Sequence, residues 1–338
     1  MIKNIDQLIN DLFASFNSRQ VRVINGRFGL KTGEKTTLQE IGDELEITRE
    51  RVRQIEEQII KKLVPKIQER VGEFLEFSNK HLLDLGGVRK DDNFIDDLEY
   101  FLKPDETIKH FGNKIRFLFF VAGTPFYSKE DDDLHGFWYY DENAKSNFLN
   151  FLEGFKKIFQ TNDKENVLKN KIHLKYCKDL THCHFVSIPK YFGTNVFGDF
   201  GLKEWPEIRP RGVRDKIYLV LKKHGKPLHF QDIAKYVNRF GIDKKPVHVQ
   251  TSHNELINDD RFVLVGRGIY GLREYGFEPG TVKEVIIQLL KKRGPLTAPE
   301  ILKLMSQERF FRANTVLLNL QNRSFFKKTK DGRYHCVR

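Results

Sequence analysis

The strongest constraint on this chain is a pattern written twice near its C-terminus. One copy reads VRDKIYLVLKKHGKPLHFQDIAKYV (213–237) and then TSHNELINDDRFVLVGRGIYGL (251–272). The other reads TVKEVIIQLLKKRGPLTAPEILKLM (281–305) and then NTVLLNLQNRSFFKKTKDGRYHCV (314–337). Both predict a helix, a turn carrying Gly and Pro (Gly225/Pro227 and Gly294/Pro295), a second helix, a third helix and a β-hairpin. The hairpin turns carry Gly266-Arg267-Gly268 and Lys330-Asp331-Gly332, as tight turns with positive φ require. Three helices closed by a hairpin is the winged-helix plan, expected over 212–275 and 280–338.

Helical spacing also dominates residues 1–85. Apolar residues recur through Ile5, Leu8, Ile9, Leu12, Phe13 and Phe16, and again through Ile55, Ile59, Leu63, Ile67, Val71, Phe74 and Leu75. Gly86-Gly87 and the following RKDDN mark a boundary, and WPEIRPRG (205–212) marks another. Between them, 93–204 reads as a middle α+β domain, with a winged-helix-like plan as one option. Its runs FLFFV (117–121) and FWYY (137–140) read as strands. The expected fold is mainly α: an N-terminal helix-turn-helix, a mixed α/β middle domain and two tandem winged-helix domains.

Within the first region, LQEIGDELEITRERVRQIEE (38–57) has the helix-turn-helix pattern. Ile41, Leu45, Ile47, Val52 and Ile55 fall where two helices joined by a short turn share one core. Gly42 sits where the helices approach most closely. Thr48 caps the second helix without a full capping box, since Arg51 stands three residues on; Thr36 or Thr37 caps the first. The second helix then presents Arg49, Glu50, Arg53 and Gln54 on one outward face. Arg pairs bidentately with guanine, Gln with adenine, and Glu accepts from cytosine. A glutamate is repulsive beside phosphates, so its presence favours base reading over backbone grip.

These residues, with RQVRVINGRFGL (19–30) before them and the run to Leu63 after, closely resemble region 4 of the housekeeping sigma factors, the domain that reads the −35 promoter element. The resemblance covers 8–63. It implies base contacts by Arg49, Glu50, Arg53 and Gln54, and phosphate contacts by Thr37, Arg51, Lys61 and Lys62, which position the domain without reading sequence. It also implies that the helix carrying Arg19, Arg22, Arg27 and Phe28 docks on RNA polymerase core. The family usually has glycine in the turn, where this chain has Glu46; a left-handed Glu46 costs about 1 kcal/mol. Full sigma factors carry an upstream aromatic helix that melts the −10 element. The sequence in hand has no counterpart, so the expectation is a region 4 module on a different chassis.

The C-terminal copies, through PLHFQDIAKYV and TSHNELINDDRFVLVGRGIYGL, resemble the HARE helix-turn-helix modules found in the delta subunit of some bacterial RNA polymerases. That family uses the module for duplex DNA and for protein contacts. Its third helix would offer Thr251, His253 and Asn254, and its wing Arg267, to DNA.

Charge placement agrees. The net charge is +12, yet residues 203–338 hold 28 basic and 14 acidic residues, a net +14, while 1–80 come to +1 and 81–202 to −3. A basic C-terminal half is the footprint of a phosphate-binding surface. Double-stranded promoter DNA and RNA polymerase core are the expected partners. No enzyme activity is expected: paired carboxylates, a nucleophile elbow and a phosphate loop are all missing from the sequence.

Other signals were weighed and set aside. GRGIYG (266–271) matches G-x-G-x-x-G, but strands are expected on both sides, whereas a dinucleotide site needs a helix after it. Cys177, His182, Cys183 and His184 are zinc-type donors at a spacing that matches no closed site. Asp131, Asp132 and Asp133 read as a solvated charge run. Trp138, Tyr139 and Tyr140 have rings suited to stacking on unpaired bases, but in a strand they read as core. No metal, cofactor or small-molecule substrate is expected. No apolar run approaches the roughly 20 residues that span a bilayer, nor does the N-terminus read as a signal peptide. The expected location is the bacterial cytoplasm, on the nucleoid.

Overall fold

The computed structural model describes residues 4–105, 107–177, 180–242, 245–277, 280–308 and 313–337. They form two compact units, residues 1–192 and 193–338.

The first unit opens with α1 (Ile5–Phe13), α2 (Ser18–Phe28), α3 (Leu38–Leu45) and α4 (Arg49–Asp84). Asn17 and Gln20 close a reciprocal capping box on α2, and Gly29 ends that helix at φ 62°. α4 continues for 36 residues with Pro65 inside it. Then follow β1 (Val88–Lys90), α5 (Asp91–Leu102), α6 (Phe111–Ala122), β2 (Phe126–Ser128) and β3 (Phe137–Tyr139). α7 (Glu142–Thr161), α8 (Lys164–Asn170), α9 (Ile172–Tyr176) and α10 (Leu180–Phe185) complete it. The three strands pair antiparallel in the order β1-β3-β2, with Trp138 opposite Arg89 on one side and Tyr127 on the other.

One apolar core runs from Ile5 and Leu12 through Ile41, Val52 and Phe74 to Ile115, Phe119 and Trp138. The elements on either side of Gly86-Gly87 therefore share a single interior. α6 is its centre, and here a sequence expectation is corrected: FLFFV is helix, not strand. Phe117, Leu118, Phe119 and Val121 are all buried, so the helix is covered on nearly every side and shows no polar stripe by which its period could be recognised. FWYY does supply β3. A second cluster joins Val88, Phe137 and Tyr139 to Phe148 and Leu152 of α7 and to Phe185.

The second unit begins with a hairpin of β4 (Phe192–Thr194) and β5 (Phe200–Leu202). Next come α11 (Val213–His224), β6 (Leu228–His229), α12 (Phe230–Arg239), α13 (Val249–Asn258), β7 (Phe262–Gly266) and β8 (Ile269–Leu272). The order then recurs as α14 (Val282–Arg293), β9 (Leu296–Thr297), α15 (Ala298–Glu308), α16 (Ala313–Leu320), β10 (Phe326–Lys328) and β11 (Arg333–Cys336). Each recurrence has a three-stranded antiparallel sheet with its last strand in the centre, β6-β8-β7 and β10-β11-β9. Each also has its own core, around Ile217, Ile233, Leu256 and Tyr270 in one and Ile286, Ile301, Val316 and Phe326 in the other. The hairpin turns use Gly268 at φ 71° and Gly332 at φ 85°, conformations that glycine adopts without a Cβ clash. Among the described residues no helix is long and apolar enough to cross a membrane.

Candidate nucleic-acid interface

α3 and α4 meet at a turn whose every joint is fixed by a named side chain. Thr37, rather than Thr36, caps α3: its hydroxyl accepts from Glu40 N–H while the Glu40 carboxylate accepts from Thr37 N–H at 2.8 Å. That exchange satisfies two orphan donors of the helix start, and it holds the Glu40 carboxyl below its usual range. Glu46 ends α3 in the left-handed region at φ 53°, ψ 45°. Thr48 then caps α4 by accepting from Arg51 N–H at 3.2 Å, with no reciprocal partner. A Cβ on Gly42 would lie 2.7 Å from the Ile47 carbonyl oxygen, so the two helices close only over glycine. Beneath the turn Ile41, Val52 and Ile55 are buried.

This frame holds Arg49, Glu50, Arg53 and Gln54 exposed on the first turns of α4, as the spacing predicts. Their mutual bonds were not legible from spacing. The Arg53 guanidinium donates to Glu50 at 2.7 and 2.9 Å and also pairs with Glu57. Glu50 is consequently held below the ordinary carboxylate range, chiefly by the Arg53 hydrogen bond. Arg51 donates to Gln54 Oε1 at 3.1 Å. Arg49 makes no hydrogen bond among the described residues, so it alone of the four can meet a base edge without first releasing a neighbour. Thr37, Lys61 and Lys62 are exposed too. Lys35, exposed two residues before the α3 cap, was not singled out, although its KTGEKTT setting advertises a basic loop at a helix start.

The α2 residues divide. Arg22 pairs bidentately with Glu44 at 2.8 Å, and Arg19 donates to the Leu45 carbonyl at 2.7 Å; both stay exposed. Arg27 is half-buried, donating to Glu56 and to the Thr36 carbonyl at 3.0 Å each. Phe28 is half-buried as well, with ring centroids 5.0 Å from Phe117 and 5.2 Å from Phe120. Two of the four residues expected to face a partner are thus occupied by α4 and α6 of this same chain.

In the second unit, Thr251 and Asn254 are exposed on α13 and Arg267 is exposed at the β7–β8 turn. His253 corrects an expectation. It does not point outward but stacks on Phe230 at 4.4 Å and meets the edge of Tyr270 at 5.9 Å. An imidazole flanked by two aromatic rings recovers more by packing than by hydration. In the second recurrence Lys327, Lys328 and Lys330 are exposed along the corresponding hairpin.

The glycines of GRGIYG belong to the β7–β8 hairpin. Among the described residues His, Cys, Asp and Glu form no group of three placed to hold a metal. His184 instead contacts Arg89, which is itself bidentate to Asp97 at 2.8 and 2.9 Å.

A helix pair closed over glycine, capped by threonines and offering a mixed-charge face on its second helix has the geometry of a helix-turn-helix. Residues 12–63 match the family described as Sigma-70, region 4. RNA polymerase sigma factor RpoD of Helicobacter pylori (strain 26695) is 48% identical over 64 residues, 19% of this chain and 10% of that protein. RpoD of Neisseria gonorrhoeae is 31% identical over 83 residues, 24% of this chain and 13% of its own length. SigA of a Bacillus species is 37% identical over 73 residues, 21% and 19% respectively. The chain therefore spans less than a fifth of the length of these relatives.

Proposed function

We propose that this chain is a sequence-specific DNA-binding transcription factor that acts at promoters, with α4 as the helix that enters the major groove. The observation that carries the reading is the exposed set Arg49, Glu50, Arg53 and Gln54 on a rigid, doubly capped α3–α4 pair, inside the stretch that matches sigma region 4. Arg49 reads directly. Arg53 reads after exchanging Glu50 for a base or phosphate, and Glu50 keeps its guanidinium poised until then. Thr37, Arg51, Lys61 and Lys62 hold phosphates on either side.

The two recurrences of the second unit are, in this proposal, HARE-type winged helices that extend the grip. Their helix order, central last strand and basic hairpins support it. Thr251, Asn254 and Arg267 are the contacts of the first; His253 acts from within, setting the α13 surface. The activity is recognition, with no catalytic step and no cofactor, and it places the protein on the nucleoid.

RNA polymerase core is the proposed partner, met through the exposed Arg19 and Arg22. One observation favours a second reading, a DNA-binding regulator that works without polymerase: Arg27 and Phe28 are held by α4 and α6. Co-purification of the full chain with core polymerase separates the two. Capture that is lost in the Arg19→Glu/Arg22→Glu double variant supports the first; duplex binding without capture of core supports the second. Absence of duplex binding at low salt overturns both.

A further inference from the structure

The first unit contains a cleft of about 610 Å³ away from the α4 reading face. Two large rings stand beside it in water: Phe120 of α6 is 57% exposed and Tyr127 of β2 is 43% exposed, while Phe126, next to Tyr127 on the strand, turns to the other face of the sheet against Tyr139. Trp138 is at its floor, 4% exposed and held in place by donating from Nε1 to Asp91 at 2.7 Å. The Tyr127 ring packs 4.8 Å from it. Two exposed aromatic rings beside one cavity forgo burial that a flat apolar partner would restore.

The charges of the lining indicate what kind of flat partner. Its two acids are already engaged, Glu56 by Arg27 at 3.0 Å and Asp91 by Arg116 at 3.0 Å. Lys35 and Lys129 also line the cleft, both exposed and with no ion pair among the described residues. What remains is a π-rich cavity with two free ammonium groups, complementary to a planar ring that carries an anion. A phosphorylated nucleobase has both properties. In a duplex the base faces are covered by their neighbours, so the base must be unstacked.

We propose that this cleft binds an unpaired nucleotide, with its base against Phe120 and Tyr127 and its phosphates on Lys35 and Lys129. The sequence reads Trp138, Tyr139 and Tyr140 as core rather than as stacking rings. Trp138 and Tyr139 prove to be buried, and the rings beside them carry the role. None of Arg49, Glu50, Arg53 and Gln54 lines the cleft, so it is tested apart from promoter reading.

The chain has two tryptophans, so a Trp205→Phe background leaves Trp138 as the sole reporter in the full-length protein. The probes are a 12-mer of thymidylate, the thymidine mononucleotide and a 12-base-pair duplex. The 12-mer is expected to quench Trp138 fluorescence saturably. Phe120→Ala, at an exposed position, should weaken the 12-mer roughly tenfold, while Phe126→Ala, on the opposite face of the sheet, should leave it unchanged. Lys129→Ala should reduce its salt dependence, and Arg49→Ala should leave the quench unchanged. If the mononucleotide binds as tightly as the 12-mer, the ligand is a free nucleotide; if only the 12-mer binds, it is a single strand. Either result supports the assigned chemistry. Failure of both to quench, a duplex that quenches equally well, or a quench that survives Phe120→Ala would overturn it.

Discussion

Residues 1–80 carry 14 basic and 13 acidic side chains, while residues 203–338 carry 28 and 14. The near-neutral region places four polar side chains on a helix fixed by two threonine caps, a glycine contact and a core that continues into α6. The basic region instead repeats one small unit twice, each with a core of its own. Reading a base edge depends on geometry and tolerates, even uses, an acidic residue such as Glu50. Holding a polyanion depends on accumulated charge and tolerates looser placement. Under the proposed function, most of the sequence preference belongs to one region and most of the affinity to the other.

The largest expected effect comes from separating them. Residues 1–192, a compact unit in themselves, should bind duplex DNA at least about a hundredfold more weakly than the full chain at low salt, yet select the same motif. Their salt dependence should also be shallower. Fluorescence anisotropy across a salt series measures both, and an unchanged affinity would move the grip into the first unit.

The rigidity of the reading region can be broken at one atom. Gly42→Ala pushes a methyl group against the Ile47 carbonyl and should cost about 2 kcal/mol of folding stability. Denaturant unfolding followed by circular dichroism measures it. A neutral result would mean that the α3–α4 contact is slack.

A smaller change of opposite sign is expected at the turn. Glu46 is left-handed without being glycine, so Glu46→Gly should stabilise the unit by about 1 kcal/mol. The selected motif should not change. A destabilised variant would show that the Glu46 side chain makes a contribution larger than its backbone strain.

Much of this was legible in the sequence, and the exceptions share a cause. The α3–α4 pair, its caps and the glycine hairpins are local: each depends on residues within a few positions of one another. α6 reads as strand because its exposed position, Phe120, is as apolar as the buried Phe117, Leu118, Phe119 and Val121, and a run without a polar side has no period. Phe28 and Arg27 were read as surface because their partners, Phe117, Phe120 and Glu56, are far along the chain. His253 was read as outward because the spacing of α13 does not reveal that Phe230 and Tyr270 flank its ring. The two-sided pairing of Arg53 with Glu50 and Glu57 rests on i,i+3 and i,i+4 spacings, but spacing alone does not say which of the possible pairs form.

The central claim, that α4 reads while the basic surfaces grip, is tested most directly by selecting duplexes from a randomised pool with the full chain and four variants in parallel. Arg49→Ala should lose roughly ten- to hundredfold in affinity for the preferred site and relax one base position. Gln54→Ala should relax a neighbouring position. Lys61→Ala and Arg267→Ala should keep the motif, weaken all sequences alike and lower the salt slope by about one. If Arg49→Ala and Lys61→Ala instead return the same motif with equal losses on every sequence, α4 is a phosphate clamp and the account is contradicted.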